Sequence, residues 1–320
     1  MLQYFIILLD EKSTSFCHYK VPADSSKGEN ALMPLETLRK GIRFGMMENL
    51  MIQYVYPDVE LSSEYSEVIE SIDHSKIKSL PQPLLKEGRM DADVWVVDSI
   101  KDVKSDVPVL WRTCKEELFV SYEQVVKVLE NVPRLNIVLT DVETFTDKDF
   151  ENYKAFLERL SEKVEQLYVE GKSPQLNLLT DRMMLKQMNN CGAGDTTITL
   201  APNGKFYVCP AFYYEDEAES IGDLEHGLDI KNKQLYQLDH APICRHCDAW
   251  QCKRCVWLNR KTTLEVNTPS HEQCVLAHIE RNVSRELLNN IRKHGTFLPE
   301  QEEIKEIDYL DPFDKRDEWQ

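Results

Sequence analysis

Short apolar runs recur along the first half of the chain. The first, Tyr4–Leu9, is continuous and has the length of a strand buried on both faces of a parallel sheet. Asp10 closes this run, and Pro57 closes the next. Runs of the same kind predict further strands at Met51–Tyr56, Asp93–Asp98, Val107–Trp111, Leu135–Thr140 and Leu176–Leu179.

Amphipathic stretches with helical spacing separate these runs. The spacing predicts helices over Leu35–Asn49, after a proline, and over Asp147–Glu165, with Asp147 as the cap. Shorter helices are predicted over Glu64–Ile72 and Ser121–Glu130. Strands alternating with helices indicate βα units around a parallel sheet. We therefore expect an α/β fold whose N-terminal domain is an open, partial (β/α) barrel, with a doubly wound sheet as the alternative.

The second half is marked by cysteines: seven of the nine lie between Cys191 and Cys274. Two thiolates at CxxC spacing can bind one centre, because the tight turn between them places both sulfurs on the same side. A disulfide framework would need an oxidising compartment, which nothing at the N-terminus indicates. The full pattern is Cys191-x12-Gly204-x4-Cys209, then Cys244-x2-Cys247-x4-Cys252-x2-Cys255, then Cys274.

The choice of metal lies between iron–sulfur clusters and zinc. The two CxxC pairs of a zinc ribbon usually lie about 15–20 residues apart, whereas only Asp248–Gln251 separates the pairs here. Dividing seven thiolates between a four-cysteine and a three-cysteine site is easier, and iron is favoured. Zinc stays open, because His246 or His271 would complete its second site. Cations near the run suit an anionic cluster, namely Arg245, Lys253, Arg254, Arg260 and Lys261.

These residues resemble the SPASM domain, the C-terminal auxiliary-cluster module of many radical SAM peptide-modifying enzymes. Thr197–Pro210 is similar to the hairpin of that domain, and Ile221–Leu224 is similar to the turn that follows it. The resemblance covers about residues 188–280. Spacers of four and two residues inside the compact group depart from the five and three that are usual in the family.

The resemblance implies two [4Fe–4S] clusters, with zinc as the alternative. One cluster would be held by the four-cysteine set, and the other by the three-cysteine set with one iron left open. The four-cysteine set is Cys244, Cys247, Cys252 and Cys274, and the three-cysteine set is Cys191, Cys209 and Cys255.

The first half lacks parts that a radical SAM barrel would have. The family carries a CxxxCxxC motif in its first loop, and here only its last position is a cysteine, Cys17, with Thr14 and Asp10 at the other two. One thiolate does not hold a four-iron cluster. The expected glycine-rich stretch near Tyr54–Asp58 contains no glycine. We expect a barrel without an adenosylmethionine site and assign no catalytic residue; an unrelated α/β domain is the alternative.

Composition and charge indicate the class of protein and its expected location. The 320 residues have a net charge of −17, which argues against a nucleic-acid binder. No segment has the length and apolarity of a membrane span, and the N-terminus does not resemble a signal peptide, so a cytoplasmic location is expected. We expect three parts: a radical-SAM-like domain over residues 1–187, an iron–sulfur domain over 188–280, and a C-terminal helix with an acidic tail over 281–320.

The resemblance implies maturation of a ribosomally made peptide. The pattern is similar to maturases of cysteine-x-x-x repeat peptides, so a cysteine-containing precursor peptide is the expected partner, together with a partner maturation enzyme or a reductase. The open iron of the three-cysteine set would accept a substrate thiolate, because soft sulfur suits iron. A non-catalytic binding module with structural metal sites and a simple electron carrier are the alternatives.

Overall fold

The computed structural model describes residues 1–21, 32–85 and 91–306. Its main element is a nine-stranded sheet in the order β7-β6-β5-β4-β3-β2-β1-β8-β9. All neighbouring strands are parallel except β8 and β9, which are antiparallel. The strands are β1 Tyr4–Leu8, β2 Met51–Val55, β3 Lys76–Pro81, β4 Val94–Val97, β5 Val109–Thr113, β6 Arg134–Leu139, β7 Gln175–Leu176, β8 Thr197–Leu200 and β9 Phe206–Tyr207, and a separate hairpin pairs β10 Gly222–Asp223 with β11 Gly227–Leu228.

Helices connect the parallel strands, which gives the α/β partial-barrel architecture that the sequence predicts. Thr146, one residue before the predicted cap, caps the longest connecting helix. The α-helices are α1 Leu35–Met47, α2 Ser63–Glu70, α3 Gln82–Leu85, α4 Lys115–Val120, α5 Tyr122–Leu129, α6 Asp147–Val169, α7 Thr180–Met184, α8 Pro210–Glu215, α9 Val256–Thr263 and α10 His271–Lys293.

Strand β1, formed by the first apolar run of the sequence, is buried between parallel neighbours as predicted. β1 is paired in parallel on both sides, with β2 and with β8, and its residues from Phe5 onward are buried. β3 was missed because its exposed-face lysines break the apolar run. The Nζ atoms of Lys76 and Lys78 lie 3.0 and 2.8 Å from the carboxylate of Glu70 in α2. Charged side-chain ends therefore lie over this part of the sheet.

Helix α1 packs unusually close to the sheet through two glycines. A Cβ at Gly41 would lie 2.4 Å from Leu200 of β8, and one at Gly45 would lie 2.8 Å from Ile52 of β2. Met46, which the helical spacing places on the apolar face, is 45 % exposed instead. The buried stripe therefore runs through glycines, because only they allow this approach.

The cysteine-rich segment packs into the cores of the sheet. Ile198, Phe206 and Val256 belong to the hydrophobic cluster around β1, and Leu276 and Leu287 of α10 belong to the cluster around β5 and β6. Both clusters thus continue across residue 188, and the predicted boundary at residue 280 falls within α10. The three-part division stays a prediction.

Two expected segments lie partly outside the described residues, namely the polar loop after β1 at residues 22–31 and the acidic tail from residue 307. The helices that the structure describes include none with both the length and the apolarity to cross a membrane.

Candidate metal centre

The loop after β1 crosses the carboxyl ends of the parallel strands. Arg112 of β5 donates from Nε to the Cys17 carbonyl at 2.9 Å and from Nη2 to the Tyr19 carbonyl at 2.6 Å. His18 Nδ1 lies 2.8 Å from the Leu139 carbonyl at the end of β6. These contacts hold Cys17 over the middle of the sheet, at the edge where parallel α/β sheets bind ligands.

The two other positions of the missing motif support the loop itself. The Asp10 carboxylate accepts the Lys12 N–H at 2.7 Å, and the Thr14 N–H donates to the Tyr56 carbonyl at 2.9 Å. Ser13 Oγ also donates to the Val55 carbonyl at 2.7 Å. These contacts dock the loop on the end of β2.

The β8–β9 hairpin carries two cysteines to the same edge. Gly204, the glycine of the predicted pattern, forms the turn with φ of +77°, a conformation that glycine adopts without strain. Cys209 follows the hairpin and precedes α8. Cys191 precedes it and donates its N–H to the Lys253 carbonyl at 3.1 Å, which aligns it with the compact cysteine group. Pairing of β8 with β1 thus brings the cysteine-rich segment next to the Cys17 loop.

Five cysteines border one cavity of about 300 Å³. Asn136 and Val138, on the face of β6 opposite the buried Leu135 and Ile137, line another side of it. The cavity therefore lies between the inner face of the partial barrel and the cysteine-rich segment. Its cysteines are Cys17, Cys191, Cys209, Cys252 and Cys255.

The thiols of Cys17, Cys209 and Cys255 at this cavity are held in their neutral form. Burial raises the pKa of Cys17 to about 12, with a smaller contribution from Cys191. Burial also raises the pKa of Cys209 and of Cys255 well above the usual value, and the neighbouring thiols raise both further. Thiolates repel one another, so a bound metal must displace these protons and supply the compensating positive charge.

Arg254 is the cation best placed to contribute positive charge next to these thiolates. Its side chain is 3 % exposed and borders the cavity, between Cys252 and Cys255 in sequence. Nη2 donates to the Tyr236 carbonyl, whereas Nε and Nη1 are buried without a hydrogen-bond partner among the described residues. Such a guanidinium is unfavourable unless an anionic group lies beside it. The donor set therefore fits an anionic thiolate cluster.

Three members of the four-cysteine set lie close together, and one of them, Cys252, also borders the cavity. Thiols of the set raise one another's pKa: burial and then Cys247 raise that of Cys244 to about 11, against a lowering effect of Arg254. Burial raises the pKa of Cys252 to about 12, and the same two thiols add to it. The structure therefore brings Cys244, Cys247 and Cys252 close together.

Cys274 approaches this group through α10. His278 Nε2 lies 3.6 Å from Cys247 Sγ, and Cys274 lies one helical turn before His278 on the same face. Helix α10 begins at His271, before the C-terminal part predicted over 281–320, and therefore includes the cysteine. His278 was missed, although its spacing of four residues from Cys274 on a helix is a usable signal.

The histidines and cations named from the sequence are mostly occupied elsewhere. His246 is exposed, and the ring of His271 packs against Phe150 at 6.2 Å. Arg260 binds Glu215 and Glu219, both at 2.7 Å, and Lys261 binds Glu143 at 2.5 Å, while Arg245 and Lys253 are exposed. Across the described ranges, no three His, Cys, Asp or Glu side chains converge as ligands of one metal ion.

An ionic network holds the spacer between the two CxxC pairs. The Asp248 carboxylate accepts from Arg281 Nη2 at 2.5 Å and lies 3.7 Å from Arg182 Nη2. Arg182 Nε also donates to the Asp248 carbonyl at 2.7 Å. Arg281 is 1 % exposed and Arg182 is 5 % exposed, so both guanidinium groups depend on this aspartate. The network fixes the cysteine loop to α7 and α10.

Glu280 is a partly buried acid on the wall of the cavity. Tyr153 Oη donates to it at 2.7 Å, and Gln251 Nε2 donates at 3.2 Å. Removal from water raises its pKa to about 7, although these two hydrogen bonds lower the pKa in part. The folded state thus retains a proton that the unfolded chain loses at lower pH.

Glu280→Gln is expected to change how stability depends on pH. Between about pH 4.5 and 7 the unfolded chain binds fewer protons than the folded one, so the wild type should lose up to about 3 kcal/mol relative to the variant as pH rises. Below this window the difference should be constant. Anaerobic denaturant unfolding at pH 5, 6, 7 and 8 measures it, with Glu286→Gln, an exposed residue on the same helix, as the control. Parallel profiles for wild type and Glu280→Gln would contradict the assignment.

A second cavity of about 350 Å³ lies on the other side of the Cys17 loop. Lys12, Thr14, Asp98 and Arg112 contribute polar groups to it. The loop that carries the CxxxCxxC motif in radical SAM enzymes therefore borders a polar cavity here, but its one cysteine, Cys17, borders the first cavity instead.

Comparisons with known proteins identify the fold. No protein-family model and no curated protein matches the sequence. Among solved structures, the chain is similar to anSMEcpe, a radical SAM/SPASM anaerobic sulfatase-maturating enzyme. The tagged form with bound AdoMet has 14% sequence identity and a TM-score of 0.58, covering 91% of this chain and 96% of that one. The native form with AdoMet and the Kp18Cys peptide has 13% identity and a TM-score of 0.58, covering 91% and 99%. The chain therefore has a radical SAM-like fold.

Proposed function

We propose that this chain is an iron–sulfur protein that acts in the maturation of a ribosomally made, cysteine-containing peptide and has no adenosylmethionine radical site of its own. The observation that carries the proposal is the cavity in which five cysteines from two distant segments meet at the carboxyl edge of the parallel sheet. The centres are two [4Fe–4S] clusters, one for each cysteine set. When bound, such clusters transfer electrons one at a time.

The surroundings of the cysteines support clusters as the bound groups. Arg254 contributes a buried positive charge, and backbone N–H groups of Ala211 and Phe212 lie near the Cys209 sulfur, where they oppose the larger effect of burial on its pKa. Hydrogen bonds and cations near the sulfurs stabilise thiolate-bound clusters and tune their reduction potentials.

A peptide is the substrate class that the fold and the charge support. The similar enzyme anSMEcpe has been solved with a peptide and AdoMet bound. The net charge of −17 suits a cationic precursor peptide. A partner maturation enzyme or a reductase would supply the electrons, and a cytoplasmic location would keep the thiols reduced until the clusters are delivered.

Peptide binding to the anaerobically reconstituted protein tests this function. A synthetic lysine-rich peptide with cysteine at every fourth position is expected to bind, and Cys209→Ala is expected to weaken it at least about tenfold by removing one wall of the site. A cysteine-to-serine version of the peptide is the matched ligand control. Equal affinity of wild type and Cys209→Ala for the peptide would place the peptide elsewhere.

A second experiment tests whether the protein performs radical chemistry. Reduced protein incubated with adenosylmethionine is expected to form no 5′-deoxyadenosine, because Cys17 alone remains of the three cluster ligands in the first loop. Formation of 5′-deoxyadenosine in amounts that scale with the protein would overturn this part of the proposal. Metal sites that only stabilise a binding module are the alternative function, and it predicts peptide binding without any change in cluster oxidation state.

A further inference from the structure

We propose that Cys17 is the fourth protein ligand of the centre at the three-cysteine set. The inference deepens the proposed function, because it rests on an iron–sulfur cluster in the cavity. The sequence assigns Cys17 to a lost motif, in which it would face the adenosylmethionine site. The fold places it instead among Cys191, Cys209 and Cys255 on the wall of the same cavity.

The position of Cys17 is built into the sheet and does not depend on a loose loop. Two hydrogen bonds from Arg112 hold the backbone on either side of it, and the His18 ring is anchored on the end of β6. Tyr19, 1 % exposed, stacks on Tyr214 of α8 with ring centroids 5.5 Å apart. Because α8 follows Cys209 directly, the two cysteines are fixed to one packed unit.

The charges of the cavity match a complete set of four thiolates. Four thiolates on a cluster leave it anionic, and Arg254 faces the cavity with two buried N–H groups that no described residue accepts. Its guanidinium is positioned to compensate that charge. Backbone N–H groups of Tyr19 and His18 lie near the Cys17 sulfur, as those of Ala211 and Phe212 do near Cys209. Both sulfurs therefore have the donors that a thiolate ligand needs.

His18 is the other side chain of this loop at the cavity that has an atom able to bind a metal. Its Nδ1 lies 2.8 Å from the Leu139 carbonyl, so that nitrogen is already engaged in anchoring the loop. An imidazole ligand in place of a fourth thiolate would leave the centre less anionic and Arg254 less compensated. The charge around the cavity therefore favours the cysteine over the histidine as the fourth ligand.

This ligand changes how the centre works. With Cys17 bound, all four irons have protein ligands, and the open iron expected from the three-cysteine set is filled by the chain itself. A peptide thiol would then bind beside the cluster without bonding to iron. The centre would act as an electron carrier or a structural wall for the peptide, which agrees with a chain that generates no radical.

Cys17→Ser in the full-length, anaerobically reconstituted protein tests the ligand. The variant is expected to lose about one iron per chain, because a three-thiolate site releases its unprotected iron. The electron paramagnetic resonance spectrum of the reduced protein should change for one cluster only. Added 2-mercaptoethanol should shift that spectrum in the variant, where an iron is open, and leave the wild type unchanged.

Two matched variants test whether Cys17 or His18 is the fourth ligand. Cys114→Ser, which changes a cysteine away from the cavity, should keep wild-type iron and spectra, and so should His18→Ala if the histidine only anchors the loop. The proposal is overturned if Cys17→Ser keeps wild-type iron and ignores the added thiol, or if His18→Ala produces the loss instead. If Cys17→Ser fails to fold, both clusters will be lost. In that case Cys17→Ala is reconstituted with 2-mercaptoethanol present, and the proposal requires that four irons return to this site. Peptide affinity is measured separately, so failure of the maturation role leaves this readout intact.

Discussion

Anaerobically purified protein is expected to contain about eight irons and eight sulfides per chain, and the double variant Cys209→Ala/Cys255→Ala is expected to retain about half of each. The reason is that Cys17 and Cys191 alone would not hold a four-iron cluster, whereas the four-cysteine set keeps all of its ligands. Removing two ligands of one centre should therefore empty that centre and leave the other. Metal and sulfide analysis together with visible absorption measures the loss.

The matched variants for this result come from the same chain. Cys244→Ala/Cys247→Ala should remove the other half of the iron, and Cys114→Ala should remove none, because Cys114 lies at the start of α4 away from both sets. One or two zinc ions per chain, with no sulfide, would show that the metal assignment is wrong while leaving the ligand sets intact. Full iron content in Cys209→Ala/Cys255→Ala would show that the ligand set is wrong.

Asp248→Ala is expected to lower the free energy of unfolding by about 3 kcal/mol and to release the metal of the four-cysteine set. Arg281 and Arg182 are both buried, and Asp248 is the carboxylate between them. Without it, two guanidinium groups remain in the interior with like charges close together. The side chain of Asp248 is 29 % exposed, which keeps the effect toward the lower end for a buried pair.

The loss of metal follows from where Asp248 lies. It is the first residue of the spacer between Cys247 and Cys252, and its contacts attach that spacer to α7 and α10. Denaturant unfolding and iron content of the purified variant measure the two effects. Asp239→Asn, an exposed substitution a few residues before Cys244, is the control. Wild-type stability in Asp248→Ala would mean that Arg182 and Arg281 find other partners.

The elements of the sheet were largely predictable because their signals are local. A continuous apolar run such as Tyr4–Leu9 and the periodic positions of α6 report which faces are buried, and β1 and α6 form as expected. β3 carried no such signal, since Lys76 and Lys78 place charged side chains on the strand and pair them with Glu70 at the end of α2. Gly41 and Gly45 likewise carry a buried face that hydrophobicity does not reveal.

The candidate site was likewise predictable only where its signals are local in sequence. CxxC spacing singled out the compact group of four cysteines, because tight turns place their sulfurs on the same side, and clustering within Cys191–Cys274 added the other three. The importance of Arg254 over four other nearby cations could not be predicted, because burial of a guanidinium depends on segments that meet from different parts of the chain. His278 and Glu280 also enter the site only because α10 packs across the sheet's end against α6.

By itself, the sequence determined most of the strands and helices and the cysteine spacing, and its resemblance to the SPASM domain indicated the hairpin around Gly204. Each of these depends on residues within a few turns of one another, where backbone geometry and side-chain periodicity act directly. Only the tertiary structure decided that β8 pairs with β1 and that Cys17 faces the cysteines of the second half. These placements depend on burying apolar faces far apart in sequence, a non-local balance of packing and charge that no single segment contains.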